Sequence, residues 1–199
     1  IAQAWAVISR VAPKARADSA LDALEAQLVD EAGGIIRLLT PAFDKTRNDP
    51  GYIRGYLPGI RENGGQYTHG VLWAVKALFE AGRHDTATRL LSMLSPVSHS
   101  DIDRYKVEPY VIAADVYGVE PHVGRGGWTW YTGSAGWMYR VILESLLGFR
   151  VDRGERLQLQ PRVPDAWPGF ELSYRVPGTS TVYRIKASRD AAADVAMSA

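Results

Sequence analysis

The chain has 199 residues, 46% hydrophobic and 23% charged, which is typical of a globular protein with a substantial core. Its 23 Lys and Arg against 22 Asp and Glu leave a net charge of +1, so no basic field is available for nucleic acid. The lack of cysteine excludes disulfides and thiolate metal sites, and no apolar run is long enough to cross a bilayer.

The first third of the chain is predicted to be two helices and a long loop. The chain opens directly into a mostly apolar run, residues 1–8, with no Met or signal peptide, and we expect residues 1–10 to be the end of a helix in a longer polypeptide. Leucines at helical spacing predict a second helix, from Asp18 to the pair Gly33–Gly34. Residues 40–63 hold prolines, glycines and two tyrosines, and a loop of that length is usually functional.

The middle of the chain is also predicted to be helical. Apolar residues at helical spacing predict a helix from Asn63, or the glycines after it, to Gly82, and a helix over 85–94 completes a hairpin with it. The remaining predicted elements are a polar loop at 95–104, a helical segment at 108–117, a Gly- and Trp-rich loop at 122–131 and a helix at 134–147.

After Gly148 the apolar period changes from about 3.6 to 2, which indicates strands. Proline- and glycine-rich turns separate the alternating stretches, so we expect a small antiparallel β segment over 149–190. Residues 191–199 are mostly small and are predicted to be a frayed tail. The alternating stretches are 157–160, 170–174 and 181–186.

The start of the helix near Thr132 is the first candidate site. Thr132 or Ser134 can cap this helix, and Gly133 lets a ligand approach the free backbone N–H groups. Such a helix start favours an anion, because its dipole and its unpaired donors both attract negative charge. The alternative is a well-capped helix without a ligand.

His69 is the second candidate. It lies near the start of its predicted helix, after Gly64 and Gly65. A lone histidine on a half-apolar helix is commonly a core residue. If the helix start at Thr132 faces it, an imidazole N–H completes a cradle for phosphate or an oxyanion.

Two glutamates form a third candidate set. Glu62 precedes the glycines before His69, and Glu108 lies in a Glu-Pro-Tyr sequence. Either carboxylic acid could protonate a leaving glycosidic oxygen, bind sugar hydroxyls, or pair with Arg61 or Arg104. Of the functional roles, sugar binding is favoured.

Aromatic rings form the fourth candidate. Trp128, Trp130 and Tyr131 stand beside glycines, where exposed rings provide a platform for the flat face of a sugar. Trp137 falls inside a predicted helix and is interpreted as core.

Three segments taken together resemble the inverting sugar phosphorylases of glycoside hydrolase family 94. They are residues 56–69 with the sequence Arg-Glu-Asn-Gly-Gly, the Glu108-Pro-Tyr segment, and residues 128–138 with the sequence Thr-Gly-Ser-Ala-Gly. Within the family, residues 108–117 and 122–137 are most similar to the C-terminal region of cyclic β-1,2-glucan synthases. Those are large inner-membrane enzymes, whose phosphorylase-like domain is thought to trim glucan chains and so to set ring size.

The resemblance implies a mainly α fold. Residues 1–148 would supply the later helices of an (α/α)6 barrel, and residues 149–190 the β segment that closes it. The implied enzyme is a glycosyltransferase of the sugar-phosphorylase type, with inorganic phosphate as co-substrate and no metal or other cofactor. The implied location is the cytoplasmic side of the bacterial inner membrane, with no direct membrane contact from these residues.

Residue by residue, the resemblance assigns two sets of ligands. His69, Thr132 and Gly133 match the phosphate-binding positions of the family. Tyr56 matches a sugar-contacting tyrosine and Glu62 the active-site glutamate. Glu108 and Trp130 complete the set of expected sugar-binding residues.

The sequence departs from the family pattern in two places. Many family phosphorylases have a glutamine six residues after the glutamate of Glu-Pro-Tyr, where this chain has Ala114, so one phosphate ligand would be missing. The family's general acid is an aspartate of an earlier barrel segment with no counterpart among these residues. We therefore expect no catalytic acid in this chain, an inactive fragment when it is alone, and the preceding part of the same polypeptide as its partner.

Two other functions remain open on the sequence. One is a stand-alone phosphorylase for cellobiose, cellodextrin or chitobiose. The other is a glucan-binding remnant without catalytic activity. In each case a β-linked glucan or related sugar is the expected partner.

Overall fold

The computed structural model describes residues 1–99, 101–108, 110–189 and 197–198. Helices, short two-residue strands and long loops make up the chain up to residue 148, and antiparallel hairpins follow. The described helices are α1 (Ala2–Ile8), α2 (Lys14–Leu28), α3 (Thr68–Glu80), α4 (His84–Met93), α5 (Ile102–Tyr105) and α6 (Thr132–Arg140). The strands are β1 (Val29–Asp30), β2 (Ile35–Ile36), β3 (Gln66–Tyr67), β4 (Asp115–Val116), β5 (Phe149–Asp152), β6 (Arg156–Leu159), β7 (Gly169–Arg175), β8 (Val182–Ser188) and β9 (Met197–Ser198).

Helix α3 is the centre of the main core. Its apolar residues lie on nearly all sides and pack against α1, α4 and α6. Leu72 and Leu78 are completely buried there, and burying each such side chain contributes about 1.5–3 kcal/mol to folding. Gly82, with a φ of 81°, takes the left-handed conformation that ends the helix and turns the chain into α4. The predicted helical hairpin is confirmed.

Helix α2 ends earlier than the sequence predicts. It stops at Leu28 and not at Gly33–Gly34, because β1 and β2 pair as a tight antiparallel hairpin directly after it. Gly34, with a φ of 64°, belongs to the turn of this hairpin. The helix therefore ends five residues before Gly33, because the two residues after it pair with Ile35–Ile36 in the hairpin.

Strand β3 delays the start of α3. The helix begins at Thr68 and not at Asn63 or the glycines after it, because Gln66 and Tyr67 first pair in an antiparallel register with Val116 and Asp115 of β4. The side chain of Gln66 is buried and its Oε1 accepts a hydrogen bond of 2.9 Å from the N–H of Ile36.

The prediction of a helical segment at 108–117 is wrong. The described residues of this range are turn, loop and the short strand β4. Their backbone groups pair with distant segments: the N–H of Ala114 donates to the carbonyl of Trp128 (2.6 Å), and the N–H of Thr68 donates to the carbonyl of Ala114 (3.0 Å). These long-range bonds satisfy groups that a helix would have paired locally.

The polar loop predicted at 95–104 contains the start of a helix. The one-turn helix α5 begins at Ile102, and the carboxylate of Asp101 caps it by accepting from the N–H groups of Asp103 and Arg104, each at 3.1 Å.

Helix α6 continues without a break into a π-helical segment, Val141–Leu146. Together these two segments cover the helix predicted at 134–147. Gly148, with a φ of 71°, then turns the chain into β5.

The β segment consists of two antiparallel hairpins, as the alternating pattern predicts. Strand β5 pairs with β6 and β7 with β8, and β9 adds to the free edge of β8. Of the predicted frayed tail, residues 191–196 and 199 lie outside the described residues. The mainly helical character followed by small antiparallel sheets agrees with the sequence analysis, whereas the (α/α)6 barrel and the domain boundaries stay predictions.

Candidate functional site

His69 and Gly133 lie face to face. Each is the second residue of its helix, His69 in α3 and Gly133 in α6, and the two helices pack against each other. A Cβ atom built on Gly133 would lie 3.2 Å from Nδ1 of His69 and 3.4 Å from its Cε1. The arrangement on which the phosphate hypothesis depended, an imidazole facing the α6 helix start, is therefore present.

The first turn of α6 has free backbone donors. Thr132 and Gly133 are exposed, and the residue before them, Tyr131, makes no capping hydrogen bond with its side chain. The expectation that Thr132 or Ser134 caps this helix is wrong, because Ser134 Oγ instead hydrogen-bonds the carbonyl of Tyr131 (3.2 Å). The open N–H groups, the helix dipole and the exposed Thr132 hydroxyl together suit a bound anion.

Three aromatic rings enclose the His69 imidazole. Tyr67 stacks on it at 6.3 Å, Trp73 meets it edge-on at 4.7 Å and Trp137 lies 6.1 Å away, centroid to centroid. Burial lowers the pKa of His69 below its usual value. The imidazole is therefore mostly neutral near pH 7, with Nδ1 towards Gly133 and Nε2 buried without a hydrogen-bond partner in the described residues. Trp137 packs against the core, as predicted.

A second cluster lies around Arg61. Its guanidinium carbon is 5.6 Å from the ring centroid of Tyr56 and 5.2 Å from that of Trp128, so the cation is held between two rings. Its Nε is 3.7 Å from Oε2 of Glu62. Of the expected sugar-binding residues, Tyr56 and Glu62 are thus joined through an arginine that the sequence analysis treated only as a possible ion-pair partner.

Asn63 and the glycines after it build the tight loop that presents Arg61 and Glu62. Gly64 has a φ of 88°, and a side chain at Gly65 would come within 2.9 Å of the Arg61 backbone, so both positions require glycine. Asn63 is fully buried and bonds both the N–H (2.7 Å) and the carbonyl (3.0 Å) of Phe43 and the carbonyl of Tyr56 (2.8 Å). The Asn63 side chain therefore holds the rest of the long loop, residues 40–63, against the segment that carries Arg61 and Glu62.

Glu108 and Trp130 form a pair of their own. The indole N–H of Trp130 donates to Oε1 of Glu108 (3.1 Å), and the ring of Tyr110 lies 6.3 Å from that of Trp130. The backbone N–H of Glu108, with further bonds from Thr129 and Trp130, lowers the pKa of its exposed carboxyl. In the described residues neither Glu108 nor Trp130 makes a ring contact or hydrogen bond with His69, so the structure does not join this pair to the His69–Gly133 pair.

Sequence reasoning missed Asp115 and Tyr67. Asp115 is 1% exposed and is the cross-strand partner of Tyr67 in the β3–β4 pair. Burial raises the pKa of the Asp115 carboxyl, which the nearby Arg61 charge partly offsets, and burial likewise raises the pKa of Tyr67, with Glu62 adding to the effect. Local sequence offers no signal for these residues, because their burial comes from segments far apart in the chain.

Two classes of feature are not found in the described part of the chain. It contains no group of three or more His, Asp or Glu side chains that could hold a metal ion. Among the same residues, no helix combines the length and the apolar character needed to cross a membrane.

Comparison with known proteins identifies the family of this chain. The sequence profile described as "Glycosyl hydrolase 94 superfamily, catalytic domain" matches residues 1–148. The chain belongs to this superfamily. The resemblance stated from the motifs is confirmed.

The chain is also similar to several curated proteins. The chain is 50% identical, over 96% of its length, to the cyclic beta-(1,2)-glucan synthase NdvB of Rhizobium meliloti, of which it covers 7%. It is 32% identical over 88% of its length to the N,N'-diacetylchitobiose phosphorylase of Vibrio proteolyticus, of which it covers 22%. It is also 32% identical over 83% of its length to the solabiose phosphorylase of Paenibacillus borealis, of which it covers 21%. The chain thus spans less than a quarter of the length of these curated relatives.

Proposed function

We propose that these residues form the phosphate- and sugar-binding side of an active site for inverting phosphorolysis of β-1,2-glucan, which controls chain length during cyclic glucan synthesis. The observation that carries the proposal is the approach of His69 Nδ1 to Gly133 at the open start of α6. The 50% identity to a cyclic glucan synthase supports the choice of substrate. The activity belongs to the longer polypeptide, whose fold we expect to be an (α/α)6 barrel.

Phosphate is bound in this proposal by His69 and by the first turn of α6. The Nδ1–H group of the neutral imidazole donates to one phosphate oxygen, and the Thr132 hydroxyl and the Gly133 N–H donate to others. The positive end of the helix dipole adds to these bonds. Phosphate is the co-substrate, and the mechanism requires no metal.

The chemical step is a direct displacement at the anomeric carbon. A phosphate oxygen forms the new bond to this carbon from the face opposite the glycosidic oxygen, whose bond breaks with inversion. The leaving oxygen takes a proton from a general acid, an aspartate that we expect outside these 199 residues. This chain contributes positioning and charge stabilisation, with Tyr56, Glu62, Glu108 and Trp130 on the sugar side.

The test is phosphate-dependent release of sugar 1-phosphate from linear β-1,2-glucan by the full-length polypeptide. Wild type is compared with His69→Ala, and with His122→Ala as an exposed histidine control. We expect His69→Ala to abolish the release and His122→Ala to leave it unchanged. Equal product without phosphate would contradict phosphorolysis, and glucan binding with no turnover would favour a glucan-binding remnant. Faster turnover of cellobiose or chitobiose than of β-1,2-glucan would favour a stand-alone phosphorylase.

A further inference from the structure

The buried carboxylate of Asp115 has no part in the proposed phosphate transfer. It belongs to β4, and its side chain is on the same face of the β3–β4 pair as that of Tyr67, because the two residues are direct cross-strand partners. It is 1% exposed, and its Oδ2 has no hydrogen-bond partner in the part of the chain that the structure describes. Burying such a charge costs folding free energy unless hydrogen bonds or an opposite charge compensate for it.

The loop that carries Trp128 is hydrogen-bonded to Asp115. Oδ1 of Asp115 accepts a hydrogen bond of 3.2 Å from the N–H of Trp128, and the carbonyl of Asp115 accepts one of 2.9 Å from the N–H of Gly127. A Cβ atom on Gly127 would lie 2.6 Å from both carboxylate oxygens. Glycine is therefore required at 127 for lack of space, and the loop backbone lies directly against the carboxylate.

Arg61 lies over the Trp128 ring that this loop carries. Its charge partly offsets the upward shift that burial gives to the Asp115 pKa. The guanidinium lies over the Trp128 ring, with its carbon 5.2 Å from the centroid, while Trp128 remains 53% exposed. Arg61 thus stacks on the indole of a residue that still offers much of its surface to a ligand.

From this arrangement we infer that Asp115 is a positioning residue for glucan. Its carboxylate fixes the Trp128 backbone, so that the exposed Trp128 ring is presented as a platform for a β-linked glucose unit. This inference rests on the proposed function, because it concerns the sugar side of the same site. It adds a residue that the phosphate-transfer mechanism does not include.

The test is glucan affinity measured without phosphate, by calorimetric titration of the full-length polypeptide with linear β-1,2-glucan. Asp115→Asn keeps the size of the side chain and an oxygen that accepts from the Trp128 N–H, but removes the charge. We expect the Kd for glucan to rise about tenfold, as for the loss of one charge-assisted interaction, with the KM for phosphate changed less than about twofold. Asp103→Asn, at a carboxylate whose side chain is 96% exposed, is the matched control and should bind glucan as wild type does.

A double variant distinguishes a positioning role of Asp115 from a general loss of structure. Trp128→Ala should weaken glucan binding as well, and Asp115→Asn combined with Trp128→Ala should weaken it no further than Trp128→Ala alone, because Asp115 acts through Trp128. Asp115→Asn should keep the melting temperature of wild type, since the change removes a buried charge.

Three results would overturn the inference. The first is an unchanged glucan affinity in Asp115→Asn, and the second is additive losses of glucan affinity in the double variant. The third is that Asp115→Asn weakens glucan binding, raises the phosphate KM and lowers the melting temperature to a similar extent. The last result would give Asp115 only a structural role. If wild type itself bound no glucan, the sugar side of the proposed function would fail, and the inference with it. If glucan bound but no sugar 1-phosphate formed, phosphorolysis alone would fail and Asp115 could still be tested.

Discussion

A methyl group on Gly133 would come to 3.2 Å from Nδ1 of His69. Such a distance is closer than most Cβ contacts, so the space between the α6 helix start and the imidazole admits a ligand oxygen only while residue 133 has no side chain. The two residues are far apart in the sequence, yet each is the second residue of a helix. We therefore expect Gly133 to be required for ligand binding and not for folding.

Gly133→Ala should impair phosphate binding without destabilising the protein. The added methyl group occupies the space in front of His69, and we expect the KM for phosphate to rise about tenfold, as for one lost charge-assisted hydrogen bond. Replacing glycine by alanine in a helix favours folding by up to about 1 kcal/mol, so the melting temperature should not fall. Steady-state kinetics and thermal unfolding check the two effects.

Gly136→Ala is the matched control in the same helix. A Cβ atom at Gly136 has no neighbour within 4 Å, so this variant should gain the same helix propensity and keep the phosphate KM of wild type. An equal rise of KM in both variants would show that helix α6, and not the space before His69, sets phosphate affinity.

The affinity for a dianion should depend on pH through His69. Burial holds the pKa of His69 below its usual value, and a bound dianion raises it, so binding is coupled to proton uptake. Sulfate keeps its charge over this range, and its affinity should increase as the pH falls from about 8 to about 5.5, by up to about tenfold per unit. Calorimetric titration with sulfate measures the slope.

In His69→Gln the sulfate affinity should be nearly independent of pH, because glutamine takes up no proton. The same slope in this variant and in wild type would assign the proton uptake to another group and remove His69 from the anion site.

Ala114→Gln should improve phosphate binding. Position 114 lies beside the anion site, because its carbonyl accepts from the N–H of Thr68, the residue directly before His69. Ala114 is 6% exposed, so any larger side chain costs about 1–3 kcal/mol of stability. Ala114→Leu carries a similar volume without the amide, and relative to it we expect Ala114→Gln to lower the phosphate KM about tenfold. Equal KM values in these two variants would show that the amide does not reach the phosphate.

Asn63→Ala should destabilise the protein and weaken the sugar side of the site. The change leaves both backbone groups of Phe43 and the carbonyl of Tyr56 without their partner, which costs about 3 kcal/mol in total. Chemical denaturation measures the loss, and the KM for glucan should rise because the loop that holds Tyr56 is no longer fixed. Asn48→Ala, at an exposed position of the same long loop, is expected to change neither quantity.

The elements that follow from local pattern were predicted closely. The apolar residues of α3 and the alternation of β7 and β8 each depend on neighbours within one turn or two residues. The boundaries were less accurate, as for the early end of α2, because two-residue strands compete with the helix ends. The prediction of a helix at 108–117 is wrong for a similar reason, because the backbone of this segment pairs with Thr68 and Trp128 and not with its own neighbours in sequence.

The candidate site divides in a similar way. His69 and Thr132–Gly133 could be identified as candidates from the sequence, because glycines and a helix start make an anion site recognisable from neighbouring residues. Three further features depend on the packing of distant segments: His69 faces Gly133, Arg61 lies between Tyr56 and Trp128, and Asp115 is buried beneath Gly127. Burial and the pKa shifts that it causes depend on long-range packing, and short-range patterns carry no information about it.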